Sequence, residues 1–236
     1  MLSFIVPAFN EENELPETLH ALQLAAGASG EAYEIVVVDD ASTDRTAELA
    51  TAAGARVVSV SHRQIAAVRN AGARAALGEI LFFVDADTRI LPAHVTGGIA
   101  ALGRGNSGGG APVMLQGEVP RWGRIFARVF CALYFGSNLG AGAFLFTTRR
   151  NFDAVGGFDE QYFAGEEVFF TQSLKKLGRF SLLKEPVLTS ARKLRMHSAR
   201  EILVGTLTLL IGGKRIVRSR AKLDFWYDGK RERKPA

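Results

Sequence analysis

Cysteine is almost absent from this chain. Among 236 residues only Cys131 carries a thiol, so no disulfide can close internally and a reducing compartment is the expectation. Long apolar runs are missing as well: no stretch of about 18 uncharged apolar residues occurs, which leaves no clear membrane-spanning helix. The N-terminal Met-Leu-Ser-Phe-Ile-Val-Pro has neither a basic leader nor an extended apolar core, so no signal peptide is expected. Two phosphate-binding glycine patterns are lacking after the first strand, Gly-x-Gly-x-x-Gly and Gly-x-x-x-x-Gly-Lys-Ser/Thr. Any phosphate would then be held through a metal ion rather than in a glycine cradle. No internal repeat of fixed period is present. The apolar and charged fractions are those of an ordinary globular protein, with length for one large or two small domains.

Positive charge is unevenly spread. From Lys184 to the end there are 14 Lys/Arg against 5 Asp/Glu, whereas the preceding 183 residues hold 15 against 19. A basic C-terminal quarter on a slightly acidic body points to an anionic partner for that end. Within it, Ile202 to Ile211 is apolar for only about ten residues, too short to cross a bilayer but suited to a packed or interfacial helix. Arg192, Lys193, Arg195 and Arg200 flank it on one side, and Lys214, Arg215, Arg218 and Arg220 on the other. Two readings stand: a helix covering the core with its basic ends solvated, or contact with anionic lipid headgroups. Nucleic acid is not expected, because no recognised binding motif accompanies the charge.

What is present is alternation. Leu2 to Val6 reads as a strand ended by Pro7, and Glu14 to Ala26 as a helix. Glu34 to Val38 is a second strand, ended by Asp39-Asp40, and Ser42-Thr43-Asp44 can cap a helix running from Thr46 to Ala53. Val57 to Val60 is a third strand, and Ala66 to Leu77 a third helix. Gly78 then introduces Ile80-Leu81-Phe82-Phe83-Val84, a strand buried on both faces. This order predicts parallel strands with helical crossovers. In the second half, Pro92 to Leu102 reads as a helix, Arg104 to Gly110 as a glycine-rich loop and Met114 to Val119 as a strand in a mixed sheet. Trp122 to Phe135 reads as an aromatic-rich helix and Ala143 to Thr148 as a strand. Gly156-Gly157-Phe158-Asp159 is a turn, Gly165-Glu166-Glu167 opens a helix to Leu177, and Phe180 to Leu188 is a final strand around Pro186.

The strand ending at Val84 is followed by Asp85-Ala86-Asp87. In an extended segment residues i and i+2 share a face, so the two carboxylates would present their oxygens together. Ligands of open α/β sheets bind beyond the carboxyl ends of the strands. Mg²⁺ or Mn²⁺ bridging a diphosphate is the natural partner for such a pair, against the plainer reading of solvated acids in a turn. Asp39-Asp40 and Glu166-Glu167 are two further acidic clusters, the latter placed where it can simply complement a helix dipole.

Several segments together resemble the family 2 glycosyltransferases of GT-A fold. They are Phe4-Ile5-Val6-Pro7-Ala8-Phe9-Asn10-Glu11-Glu12, Val38 to Thr46, Arg69-Asn70-Ala71-Gly72, Phe83 to Asp87, and Gly156 to Glu160 followed by Gly165-Glu166-Glu167. The match runs in order over residues 2 to about 180; Ser190 to Lys193 and Asp224-Phe225-Trp226-Tyr227 are similar to short, free-standing bacterial members.

The resemblance implies one α/β GT-A domain over 1–190, with a mostly parallel central sheet, helices on both faces and a mixed second half. A basic helical extension, 191–236, would pack on it or lie at a membrane surface. It also implies a nucleotide-diphospho-sugar donor, a divalent metal (Mn²⁺ or Mg²⁺) and inverting transfer to an acceptor hydroxyl. Pro7, Ala8 and Glu11 would line the nucleoside pocket, Asp40 would bind the base, and Arg69 and Asn70 would sit near the ribose or diphosphate. Asp87, with Asp85 beside it, would hold the metal. Arg192 or His197 would close over the diphosphate, His197 being a further candidate at the metal. The family pattern at the base is usually Glu-Asp; here it reads Glu166-Glu167, which favours Glu167 as the base with Glu166 as the alternative. The Gln-x-x-Arg-Trp motif of processive synthases is absent after residue 180, which points to single transfer. A cytoplasmic protein, peripheral on the inner membrane face and using a lipid-linked acceptor, completes the expectation. A sugar-phosphate nucleotidyltransferase and a non-catalytic nucleotide-sugar or membrane-binding module remain as rivals.

Overall fold

The computed structural model describes residues 1–220; Asp224-Phe225-Trp226-Tyr227 lies outside them. The first half alternates as the sequence pattern requires: β1 (Leu2–Ala8), α1 (Leu15–Gly27), β2 (Tyr33–Asp40), α2 (Thr46–Ala52), β3 (Arg56–Val60), α3 (Ile65–Ala75) and β4 (Ile80–Val84). The second half follows with β5 (Thr88–Arg89), α4 (Pro92–Gly103), β6 (Gly108–Gly110), β7 (Val113–Gln116), α5 (Arg121–Gly136), β8 (Phe144–Thr148) and α6 (Arg149–Val155). The chain continues through α7 (Glu166–Leu177), β9 (Phe180–Leu182), β10 (Val187–Ser190), α8 (Arg192–Met196) and α9 (Ala199–Val217).

Seven strands form the central sheet in the order β3-β2-β1-β4-β8-β6-β9. All its pairings are parallel except those of β8, which runs antiparallel to both β4 and β6. Alternate side chains serve opposite faces. Phe4, Phe82 and Phe146 point into one core with Leu15, Leu19 and Leu22 of α1 and Val95 of α4. Ile5, Phe83 and Leu145 point into the other with α3, Phe152 of α6, and Phe170 and Leu174 of α7. Neighbouring strands pair Phe4 with Phe82, stacked at 5.0 Å, and Phe158 of the turn ahead of α7 meets Phe83 edge-on at 5.0 Å.

Five expectations are corrected. Pro7 does not end β1, which continues to Ala8; beyond Ile5 no β4 residue pairs with it, so Pro7 stands at a local edge where a missing donor is tolerated. Asp39 and Asp40 belong to β2 itself, paired with Ala8 and Val60. Asp85-Ala86-Asp87 is not extended: the Thr88 N–H donates to the Asp85 carbonyl at 3.0 Å, folding the segment into a turn. Gly108-Gly109-Gly110 is not loop but the buried strand β6. A Cβ on Gly109 would lie 2.2 Å from the Phe146 ring and 2.3 Å from the Ser181 carbonyl, so closeness to β8 and β9 demands glycine there. Phe180 to Leu188 divides into β9 and β10, which lie in different sheets, because Lys184 to Pro186 carries the chain across; β10 joins β5 and β7 in a three-stranded sheet.

Candidate active site

A cleft of about 350 Å³ opens at the carboxyl ends of β1, β2 and β4. Six carboxylates line it, from Glu11, Asp40, Asp85, Asp87, Glu166 and Glu167, against three guanidinium groups, from Arg63, Arg69 and Arg192. Pro7 and Ala8 form part of its wall. Strand alternation separates the β2 acids: Asp40 faces the cleft and Asp39 is not among its lining residues. Asp40 Oδ1 accepts from the backbone N–H groups of His62 and Arg63, at 2.7 and 3.0 Å, which fixes the loop after β3.

Arg69 is the innermost of the cations. Its Nη1 donates to Glu166 Oε1 at 2.5 Å, and its Nη2 to Asp85 Oδ1 at 2.8 Å and to the Gly142 carbonyl at 3.1 Å. One side chain of α3 therefore joins the β4 turn, the loop before β8 and the first turn of α7. Despite Arg69, burial pushes the Asp85 carboxyl above its ordinary range, with Asp87 adding repulsion. Arg192 plays a second bridging role. It donates to both oxygens of Glu11, at 2.5 and 2.7 Å, and its Nη2 lies 3.2 Å from Asp87 Oδ2.

Gly165 caps α7 with φ +71°, a conformation glycine adopts without a steric cost. That turn presents two successive glutamates to the cleft in different ways. Glu166 is buried and held by Arg69. Glu167 is only partly covered; its carboxyl is pushed up to about 8, by burial first and by Glu166 next. The Tyr134 hydroxyl of α5 lies 3.5 Å from Glu167 Oε1 and donates to the Gly140 carbonyl at 2.9 Å. The Tyr134 phenol is itself pushed up, by burial and then by Glu167.

Of the residues singled out in the sequence, Pro7, Ala8, Glu11, Asp40, Arg69, Asp85, Asp87, Glu166, Glu167 and Arg192 converge on the cleft. Asn70 and His197 are not among its lining residues. The Asn70 amide donates to the Phe158 carbonyl and to Glu160 Oε1, both at 2.8 Å, and its oxygen accepts the Phe158 N–H at 2.9 Å. It ties α3 to the turn ahead of α7. The adjacent Arg69 faces the other way because successive helical residues diverge by about 100°. Sequence reasoning missed Phe9, Arg63, Gln64, Ile65 and Tyr134. Arg63 stacks on the Phe9 ring at 3.6 Å, across 54 residues of chain that no local pattern connects.

The donor set suits a hard divalent cation. Asp85 and Asp87 offer carboxylate oxygens, three acids remain in excess over the guanidiniums, and the carboxyls of Asp85 and Glu167 are both drawn toward protonation. Burial is the first cause of both shifts and neighbouring acids add to it, so the excess of acids leaves room for a further positive charge. No group of three or more His, Cys, Asp or Glu is poised around a metal position among the described residues. The protein would contribute at most two ligands, leaving the remainder to diphosphate oxygens and water, the usual habit of Mg²⁺.

Comparison with known proteins follows the same line. Residues 3–183 match the model of glycosyl transferase family 2. Over 103 residues the chain is 39% identical to the undecaprenyl-phosphate 4-deoxy-4-formamido-L-arabinose transferase of Pseudomonas paraeruginosa, covering 40% of this chain and 30% of that protein. The alignment thus spans under a third of the relative's length. Glucosyl-3-phosphoglycerate synthase from Mycobacterium tuberculosis, in complex with Mn²⁺, UDP and glucosyl-3-phosphoglycerate, superposes with TM-score 0.64. It is 19% identical over 97% of this chain and 79% of its own. S. aureus TarS 1-349 with UDP-GlcNAc gives 0.62, at 22% identity over 81% of this chain and 58% of its own. At these identities the likeness establishes the fold, which is GT-A.

Proposed function

Since this chain belongs to glycosyl transferase family 2, we propose that it moves a sugar from a nucleotide-diphospho-sugar to an acceptor hydroxyl, with inversion and one sugar at a time. The observation that carries this reading is the convergence of acids from β2, the β4 turn and α7, together with Arg69 and Arg192, on one cleft. Pro7, Ala8 and Glu11 would flank the nucleoside, and Asp40 would accept a hydrogen bond from the base. Asp87 and Asp85 would hold a divalent cation. Bound there, that ion supplies positive charge against the diphosphate as it departs.

Inversion requires one in-line displacement: the acceptor oxygen bonds to the anomeric carbon as the bond from that carbon to the phosphate oxygen breaks. The acceptor proton must leave at the same time, toward a carboxylate on the side opposite the diphosphate. Glu167 suits that role better than Glu166. Glu166 is committed to Arg69, while Glu167 faces the cleft with a carboxyl poised near neutral pH. Arg192, released from Glu11 and Asp87, would turn to the diphosphate. The acceptor would be membrane-associated. Two things support this: the basic C-terminal segment, and a relative whose name specifies undecaprenyl phosphate. The domain of 1–190 with its extension would then work peripherally at the inner membrane face. Among the described residues no helix is long and apolar enough to cross a membrane.

Thermal shift with UDP-, GDP- and dTDP-sugars, each with and without Mn²⁺, identifies the donor, because ligand binding to the native state raises the melting temperature. In the same assay Glu167→Gln should keep the donor-induced shift. Its turnover, by transfer or donor hydrolysis, should fall by about 10²–10⁴-fold, the usual loss of a general base. Turnover unchanged in that variant would remove Glu167 from the chemistry.

A further inference from the structure

Helix α5 turns one row of its apolar side chains outward, while Trp122, Phe126 and Tyr134 are half-buried. Ile125, Val129 and Leu133 recur every four residues and so form one stripe; they are 68%, 56% and 71% exposed. The helix buries only Gly123, which lies against Val119, Pro120 and Leu194. Amphipathic helices in a folded domain normally owe their stability to burying such a stripe, so its exposure calls for a partner. Beside the stripe run Arg121, Arg124 and Arg128, all exposed. No Asp or Glu occurs within α5 itself; Glu118, ahead of it, lines the same groove as Arg124 and Arg128 and leaves the arginines in excess.

We infer that α5 docks on an anionic lipid surface, with Ile125, Val129 and Leu133 entering the headgroup boundary and the three arginines meeting lipid phosphates. An apolar stripe bordered by cations, on a helix that carries no acid, is the signature of a helix lying in the membrane interface. A second copy of the chain is a poorer occupant. A two-fold contact would set the same arginines of both copies near each other with no helical acid between them. The surface also differs from the basic C-terminal segment, because α5 is the helix that carries Tyr134. Through the hydroxyl of Tyr134, 3.5 Å from Glu167, the docked helix and the cleft become neighbours. An amphiphile anchored in the bilayer would therefore offer its head to the cleft from the α5 side. That last step rests on the proposed transferase function; the docking does not.

The test uses the full chain with vesicles of phosphatidylcholine, with and without phosphatidylglycerol, in a co-sedimentation assay. Wild type should pellet with the anionic vesicles at low salt and be released as salt rises. Ile125→Asp with Leu133→Asp replaces two exposed side chains, so the melting temperature should hold while partitioning drops by roughly tenfold or more. Arg124→Gln with Arg128→Gln should weaken partitioning by roughly fivefold per charge removed and flatten its salt dependence. Wild type staying in solution at low salt, or the double-aspartate variant pelleting normally, would overturn the docking. So would a wild-type dimer that those aspartates abolish, since the face would then belong to a second copy. The donor-induced melting shift is read on the same proteins. Its absence with vesicle binding intact would count against the enzymatic reading alone, and its presence without vesicle binding against the docking alone.

Discussion

Two arginines each hold a pair of acids in this cleft, and they are built to different ends. Arg69 projects from the middle of α3; its side chain and that of Glu166 are only 3% and 5% exposed, and its three acceptors come from three segments of the fold. Arg192 opens the short helix α8 and reaches Glu11 across 181 residues of chain, with 14% of its side chain exposed. Both guanidiniums neutralise acids that would otherwise repel. The first is itself buried together with Glu166, while its other partner, Asp85, keeps 35% of its side chain exposed. The second lines the cleft with Glu11 and Asp87, where a ligand can compete for it. The fixed cation tempers the rise of the Glu167 carboxyl that burial and Glu166 cause, and the releasable one can exchange a protein carboxylate for a substrate phosphate.

The largest expected effect tests the fixed half of this contrast. Arg69→Met keeps most of the side-chain volume but leaves Asp85 and Glu166 without their cation. Removing one member of a buried charge network costs about 3–5 kcal/mol of stability. Chemical denaturation of the substrate-free protein would show this as a drop in midpoint. A loss under about 1 kcal/mol would mean that water reaches Glu166 as well as the partly exposed Asp85.

How far the sequence could foresee the site follows from how each part is held. The acids at the ends of β2 and β4 were legible because apolar runs stop abruptly at them. Parallel alternation then requires those ends to share an edge, and the family resemblance supplied Glu166-Glu167. The three-glycine strand was not legible: glycines read as loop until Phe146 and the Ser181 carbonyl are seen closing on Gly109. Asn70 was read with Arg69 as a ligand-facing pair, yet helical geometry sends the two side chains in different directions and Asn70 secures the Phe158 turn. Tyr134 gave no signal, since an aromatic on an aromatic-rich helix looks like packing. The pairing of Arg192 with Glu11 depends on the whole fold bringing the two ends of the chain together.

A pH series sharpens the comparison at intermediate size. Glu167 acts as a base only when ionised, so in the free enzyme kcat/KM should rise with pH through about 8. Glu166→Gln keeps an oxygen for Arg69 to donate to but removes a negative charge beside Glu167, so the limb should move to lower pH. Stability responds with the opposite sign. A carboxyl whose folded value lies above its ordinary value of 4.5 binds more protons folded than unfolded, so the substrate-free protein should lose stability as pH rises from 4.5 toward 8. Glu167→Gln should lack that decline. An activity limb that stays put in Glu166→Gln would remove Glu166 as a source of the perturbation.

The smallest effect belongs to the releasable cation. Arg192→Met deletes both bonds to Glu11 and the contact with Asp87. Glu11 and Asp87 line the cleft with side chains 6% and 16% exposed, so the net loss should be about 1.5–3 kcal/mol, that of hydrogen bonds to charged groups. Arg192→Lys should recover part of it, since an ammonium keeps the charge but cannot match two carboxylate oxygens at once. The sharper readout is the ligand. If Arg192 exchanges partners as the cleft fills, the melting shift produced by donor and Mn²⁺ should shrink in Arg192→Met by more than its own destabilisation explains. Should Arg192→Met instead destabilise the substrate-free protein as much as Arg69→Met, with the ligand shift intact, the two arginines would be the same kind of brace.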